Sequence, residues 1–182
     1  DPLPDEREVA RTADGMVVFV DDPSAPWPEG KLDPLVRFYD QAIRRGYAGQ
    51  RGYGTVNSWA AAFGISPDRP ICILYDPQHP LGPQPTVGFR DLQPIITYGW
   101  PIRTGTPSVG VQLAMHELAH VWDGLSGWRL SSAMVAVVQN PAGYPTARAQ
   151  QGLYEDFAES VTAYLWPGYA VNHRWSDDDP EC

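Results

Sequence analysis

The sequence predicts an α+β fold with a small mixed sheet in its N-terminal part and helices in its C-terminal part. Two observations point to it. Short β-branched and aromatic runs, bounded by Gly, Pro or Asp, occur in the first hundred residues. Beyond Ser108 the apolar residues recur at helical spacing instead. Strands gathered early and helices late describe segregated layers, not alternating βα units. No GxGxxG or GxxxxGK[ST] pattern is present, which removes the usual nucleotide-binding loops. At 182 residues the chain is long enough to bury a sizeable core, and residues 1–182 are read as a single domain.

Met16 to Val20 reads as the first strand, closed by Asp21-Asp22-Pro23, with a loop from Ser24 to Gly30. Leu32 to Arg45 reads as a helix. Asp33 is its N-cap, and Pro34 sits at N1, where a missing N–H costs nothing. Leu35, Phe38, Tyr39 and Ile43 form its apolar stripe, and Gly46 is its stop. Asn57 to Phe63 predicts a shorter helix ended by Gly64. Ile71 to Tyr75, Thr86 to Arg90 and Ile95 to Tyr98 read as strands. A helix starting near Ser108 runs to about Asp123 and stops at Gly124, with Leu118, Val121, Trp122 and Leu125 on its apolar surface. Leu130 to Val138 is a further helix, Asn140 to Pro145 a loop, and Ala149 to Trp166 the last helix. Asp177-Asp178-Asp179 reads as a solvated acidic tail; it lacks the alternating twelve-residue loop of a calcium site.

A net charge of −9 argues against nucleic acid, whose binding draws on basic patches. No run of 18 apolar residues exists, so no membrane span is expected. The chain opens Asp1-Pro2-Leu3-Pro4, which reads as a processed terminus and gives the expectation of a secreted or extracytoplasmic protein; a monomer is expected. The two cysteines, Cys72 and Cys182, are too few for a Cys-rich metal site; they are either free thiols or one disulfide.

The chemistry is concentrated in His116-Glu117-Leu118-Ala119-His120, which uses two of the four histidines. On a helix, residues four apart share a face, so both imidazoles reach one ion while Glu117 points beside them toward an activated water. Catalytic zinc normally takes three protein ligands and keeps one position open. The extended HExxHxxGxxH form fails here, because Asp123 and Ser126 stand where it needs Gly and a ligand. The last helix offers Glu155 and Glu159, again four apart. Its apolar side is expected at Leu153, Phe157, Val161 and Tyr164. Glu155 is taken as the third ligand. Glu159 is taken as the acceptor for the far nitrogen of His116 or His120, with Asp123 and Asp156 as competitors for that role. His79 and His173 have no ligand partner in sequence, and Trp100, Trp122 and Trp128 are candidate apolar liners of a pocket.

With Glu155-Asp156-Phe157-Ala158-Glu159 following the first motif, residues 108–166 resemble the gluzincin metallopeptidases, in particular the anthrax lethal factor catalytic-domain group. The resemblance implies a zincin-like domain. It implies zinc on His116, His120 and Glu155, and Glu159 supporting a ligand. It also implies a tyrosine ahead of the ligand helix that helps hold the oxyanion; Tyr144 lies in a comparable loop, while Tyr154 falls on the helix itself. An upstream edge strand would bind substrate backbone, and Ile95 to Trp100 is the nearest candidate. The expected function is therefore a zinc-dependent endopeptidase acting on peptide or protein substrates, with Glu117 moving the proton. The rival expectation is a noncatalytic zinc-containing peptide-binding protein.

Overall fold

The computed structural model describes residues 7–22, 24–48, 64–82, 84–100, 102, 106–137 and 148–166. The predicted helix at 57–63, the 140–145 loop with Tyr144, and His173, Asp177 to Asp179 and Cys182 lie outside them. The chain is mixed α and β, and it falls into two compact units, Asp1–Ala114 and Met115–Cys182.

The first unit is built on five strands: β1 (Arg7–Arg11), β2 (Val17–Asp21), β3 (Ile71–Tyr75), β4 (Thr86–Arg90) and β5 (Gln93–Tyr98). Their order across the sheet is β1-β2-β3-β5-β4. The β2–β3 and β3–β5 pairs are parallel, whereas β1–β2 and β4–β5 are antiparallel. The sheet is therefore mixed, as the sequence predicts. Period-2 alternation places Val17, Phe19, Ile71, Ile73, Ile96 and Tyr98 on one face, all fully buried or nearly so. Helix α1 (Leu32–Ala48) contributes Leu35, Phe38, Tyr39, Ala42 and Ile43 to the same unit's core. Tyr39 stacks edge-on against Phe19 at 5.9 Å, and its hydroxyl shares a 3.0 Å hydrogen bond with that of Tyr98. That bond lets two phenols be buried without leaving a polar atom unpaired.

Several expectations change. The strand β1 carries no clear alternation in Arg7–Arg11, and pairing with β2 defines it instead. Helix α1 runs through Gly46 to Ala48; a glycine costs only about 1 kcal/mol inside a helix and does not by itself end one. The strand at Ile95 to Tyr98 begins at Gln93 and includes Pro94. It is paired on both sides, so it is not an edge. Among the described residues the edges are β1 and β4, and the candidate substrate strand Ile95 to Trp100 has no free backbone along Ile95–Thr97 to offer. Asp91 and Leu92 close the β4–β5 hairpin with φ of 48° and 68°, the double left-handed geometry usually supplied by Asn-Gly. Asp91 tolerates that geometry, but Leu92 does not advertise it.

Helix α2 (Pro107–Leu125) spans the boundary between the units. Met115, Leu118, Ala119 and Val121 are fully buried and Trp122 nearly so, which makes its second half a core helix. It passes through Gly124, the predicted stop, to Leu125. In the second unit, Ser126 to Trp128 turn the chain into α3 (Arg129–Val137). A 3-10 turn (Arg148–Gln151) precedes α4 (Leu153–Leu165). The single helix expected over Ala149 to Trp166 is thus two pieces. Gly152 separates them at φ 158°, ψ 169°, a conformation essentially restricted to glycine.

Candidate metal centre

The site residues the structure describes lie in the second unit, on α2, the 3-10 turn and α4. The sequence placed the apolar side of the last helix at Leu153, Phe157, Val161 and Tyr164. The buried residues of α4 are instead Ala158, Glu159, Thr162 and Leu165, while Leu153 and Tyr164 are exposed. Small side chains and the Thr162 hydroxyl, bonded back to the Ala158 carbonyl at 2.9 Å, make that face close-packing. The helix therefore seats its carboxylate-bearing face inward, and Glu159 is only 1% exposed.

His116 and His120, one turn apart on α2, bring their Nε2 atoms within 3.0 Å of each other. Glu155 closes the group. Its Oε2 is 3.2 Å from His116 Nε2 and its Oε1 is 3.4 Å from His120 Nε2. These three residues can hold a metal ion between them. On the other side of the ring, Glu159 Oε1 lies 2.7 Å from His116 Nδ1, although the N–H is not aimed squarely at it. Glu159 thus stands where a carboxylate orients an imidazole for its ligand. Glu117 is 1% exposed, and its Oε1 has no hydrogen-bond partner among the described residues.

The electrostatics follow from this packing. Burial pulls the His116 pKa down, but Glu155 and Glu159 beside its two nitrogens more than offset that and raise it to about 9. Burial also works to raise Glu155, yet the His116 and His120 hydrogen bonds and the charge of Arg148 win, and its carboxyl is held well below the usual range. For Glu117 burial prevails over the nearby cations and the pKa is raised. Arg148 supplies the one basic group the sequence reading passed over. Its Nε donates to Glu155 Oε2 at 2.8 Å, and its charge also acts on Glu117 and Glu159. The charge count could have found it: three carboxylates clustered out of water need cations, and Arg148 is the basic residue nearest in sequence to the ligand helix.

Without an ion the raised His116 pKa keeps a proton on that ring; with both imidazoles neutral, as metal ligands are, Glu117, Glu155, Glu159 and Arg148 sum to an excess of two negative charges. A divalent cation held by the two imidazoles and Glu155 brings the cluster to neutrality. The donor set, the charge count and the orphaned Glu117 oxygen all fit such an ion.

The other candidates fall elsewhere. Asp123 is fully buried, and its Oδ1 accepts from the backbone N–H groups of Leu130 and Ser131 at 3.0 and 3.1 Å. It caps α3. Asp156 bonds Ser160, and Tyr154 is exposed and packs on Trp128 at 4.8 Å between ring centres. Trp122 is buried in α2, and Trp100, in the first unit, is exposed. His79 spends both ring nitrogens locally, on Thr86 Oγ1 and the Leu81 N–H. The chain matches no protein-family model, no curated protein and no solved structure. No helix among the described residues is long and apolar enough to cross a membrane.

Proposed function

We propose that this chain is a zinc-dependent endopeptidase with a zincin-like, gluzincin-type site, acting on peptide or protein substrates outside the cytosol. The observation that carries the reading is Glu117: a buried carboxylate with an unpartnered oxygen, set between two histidines that converge with Glu155. A purely structural metal site has no use for such a group.

Zinc is the ion the donors suit. Tetrahedral bonds of about 2.0–2.1 Å imply donor separations of about 3.3 Å. The two Nε2 atoms are 3.0 Å apart, and the two Glu155 oxygens approach them at 3.2 Å (Oε2 to His116) and 3.4 Å (Oε1 to His120). When bound, zinc supplies Lewis acidity, polarising a carbonyl and lowering the pKa of water toward about 7. The remaining steps belong to the chain. His116, His120 and Glu155 fix the ion, and Glu159 orients the His116 ring. Glu117 Oε1 takes a proton from the water that attacks the scissile carbonyl. The same carboxyl then gives that proton to the departing amine as the C–N bond breaks. Burial raises the Glu117 pKa, which makes its carboxylate a better proton acceptor than an exposed one. Tyr144 is assigned to the oxyanion by resemblance.

The test is cleavage of a diverse peptide library by zinc-loaded protein, with Glu117→Gln as the control. The wild type is expected to cut in a chelator-sensitive way. Glu117→Gln is expected to keep its fold and zinc and lose most of the activity, a factor of about 10²–10⁴ for a proton-transfer group. Zinc-loaded wild type that binds library peptides and cuts none would favour the noncatalytic peptide-binding reading. Full activity in zinc-loaded Glu117→Gln would overturn the mechanism.

A further inference from the structure

We propose that Arg148 is a further catalytic residue of the metal centre, a donor whose two terminal nitrogens bind the oxyanion that forms on the scissile carbonyl. The inference rests on the zinc-site reading above and adds to it a preference for tetrahedral, anionic ligands. Two observations carry it.

The first is how little of the guanidinium is spent. Arg148 Nε donates to Glu155 Oε2 at 2.8 Å. Among the described residues, Nη1 and Nη2 have no hydrogen-bond partner. The side chain is only 15% exposed, and polar groups so far out of water normally use their donors. Arginine holds its N–H groups in a rigid planar fork suited to oxyanions. An anion arriving at the site supplies the acceptors that the terminal nitrogens lack.

The second is where the guanidinium stands. The side chains of His116 and Glu159 are 2% and 1% exposed, against 26% for Glu155 and 15% for Arg148. The centre therefore meets solvent on the Arg148–Glu155 side, and a substrate that reaches it passes the guanidinium. Glu155 Oε2, the oxygen that Arg148 holds, also lies 3.2 Å from His116 Nε2, so the fork sits one hydrogen bond away from the ligand set. On a continuous helix, residues 148 and 155 would be about 10 Å apart along the axis. The 3-10 turn and the Gly152 break bring the guanidinium back to the carboxylate.

The chemistry follows. As the water oxygen bonds to the carbonyl carbon and its proton passes to Glu117, the C=O π pair moves onto the carbonyl oxygen. The Nη groups donate to that oxygen as its charge grows. The pair returns to remake C=O when the C–N bond breaks and the amine leaves with the proton from Glu117. Arg148 stays protonated throughout and moves no proton. Tyr144 holds its oxyanion role by resemblance; Arg148 has its own from geometry.

The test is calorimetric titration of full-length, tag-free, zinc-loaded protein with two probes. Inorganic phosphate is tetrahedral and anionic, and imidazole is a neutral ligand for the open position. The wild type is expected to bind both. Arg148→Met removes the fork and its charge, and is expected to weaken phosphate by about 10–100-fold, the worth of a charge-assisted hydrogen bond, while leaving imidazole unchanged. Arg148→Lys keeps a donor for Glu155 without the fork, and is expected to retain zinc and still bind phosphate more weakly than the wild type. Zinc content and far-UV circular dichroism are checked for each variant. Wild-type phosphate affinity in both variants overturns the inference. So does an equal loss for phosphate and imidazole, since a merely structural arginine would affect both probes alike. Loss of zinc from both variants overturns it too, by reducing Arg148 to a support for Glu155. A zinc-loaded wild type that binds imidazole and no phosphate also overturns it. A folded wild type that binds no zinc overturns the zinc-site reading itself, and this inference with it.

Discussion

Three glutamates in one small volume divide the work by what each oxygen touches. Glu155 faces both Nε2 atoms, Glu159 faces the far side of His116, and Glu117 Oε1 faces no described partner. Metal affinity should rank accordingly. Glu155→Ala removes a direct donor and should weaken zinc most. Glu159→Gln keeps the shape but loses the charge that orients His116, and should weaken zinc by about 10–100-fold. Glu117→Gln should leave affinity close to wild type. Chelator competition measures all three, and equal affinities for Glu155→Ala and wild type would remove Glu155 from the ligand set. Away from the site, Gly99 is sterically pinned: a Cβ there would lie 1.8 Å from the Gly82 carbonyl oxygen. A backbone atom cannot step aside as a side-chain tip can, so Gly99→Ala should cost about 3 kcal/mol, the upper end for overpacking. Urea unfolding would show it, and a change within error would mean this close approach relaxes freely. His116, Glu117 and His120 were legible because helical spacing alone puts them together. Arg148 was not, because its approach depends on a 3-10 turn and a glycine break that no periodicity signals.

At the scale of elements, α2 and α3 are joined through Asp123. Its Oδ1 caps α3, and its backbone carbonyl accepts from Trp128 N at 2.7 Å across the turn. Trp128 itself holds φ 61°, unusual for a bulky residue, and packs at a tilt against Tyr154 of α4. Asp123→Ala should lower stability by about 1–2 kcal/mol through loss of the cap. Zinc affinity should change little, since Asp123 Oδ1 bonds to the backbone of α3 and not to imidazole. A large loss of zinc affinity in a variant of unchanged stability would instead return Asp123 to the role of histidine orienter. The sequence yielded most helices and strands to within a few residues. It missed β1, an exposed edge strand defined only by its pairing partner, and it misplaced part of the inward face of α4, where Leu153 and Tyr164 are exposed while Phe157 and Val161 are half-buried. Counting large apolar residues found Leu153 and Tyr164. The packing chose small ones at Ala158 and Thr162, because a helix that brings Glu155 and Glu159 against His116 must come close.

For the molecule as a whole, the order of strands then helices was readable, and so was the mixed character of the sheet. The strand order β1-β2-β3-β5-β4 was not, since it depends on pairings between segments far apart in sequence. Neither was the charge state of the core of the second unit. Glu117 and Glu159 are buried, and Glu155 and Arg148 partly so; with both imidazoles neutral as metal ligands these groups carry two excess negative charges, and the account stands on a divalent ion balancing them. Metal analysis of tag-free protein tests this most directly. The account predicts about one zinc per chain, retained through purification and lost when Glu155 is replaced by Ala. A well-folded wild type that carries no zinc and cannot be reconstituted with it would contradict the account.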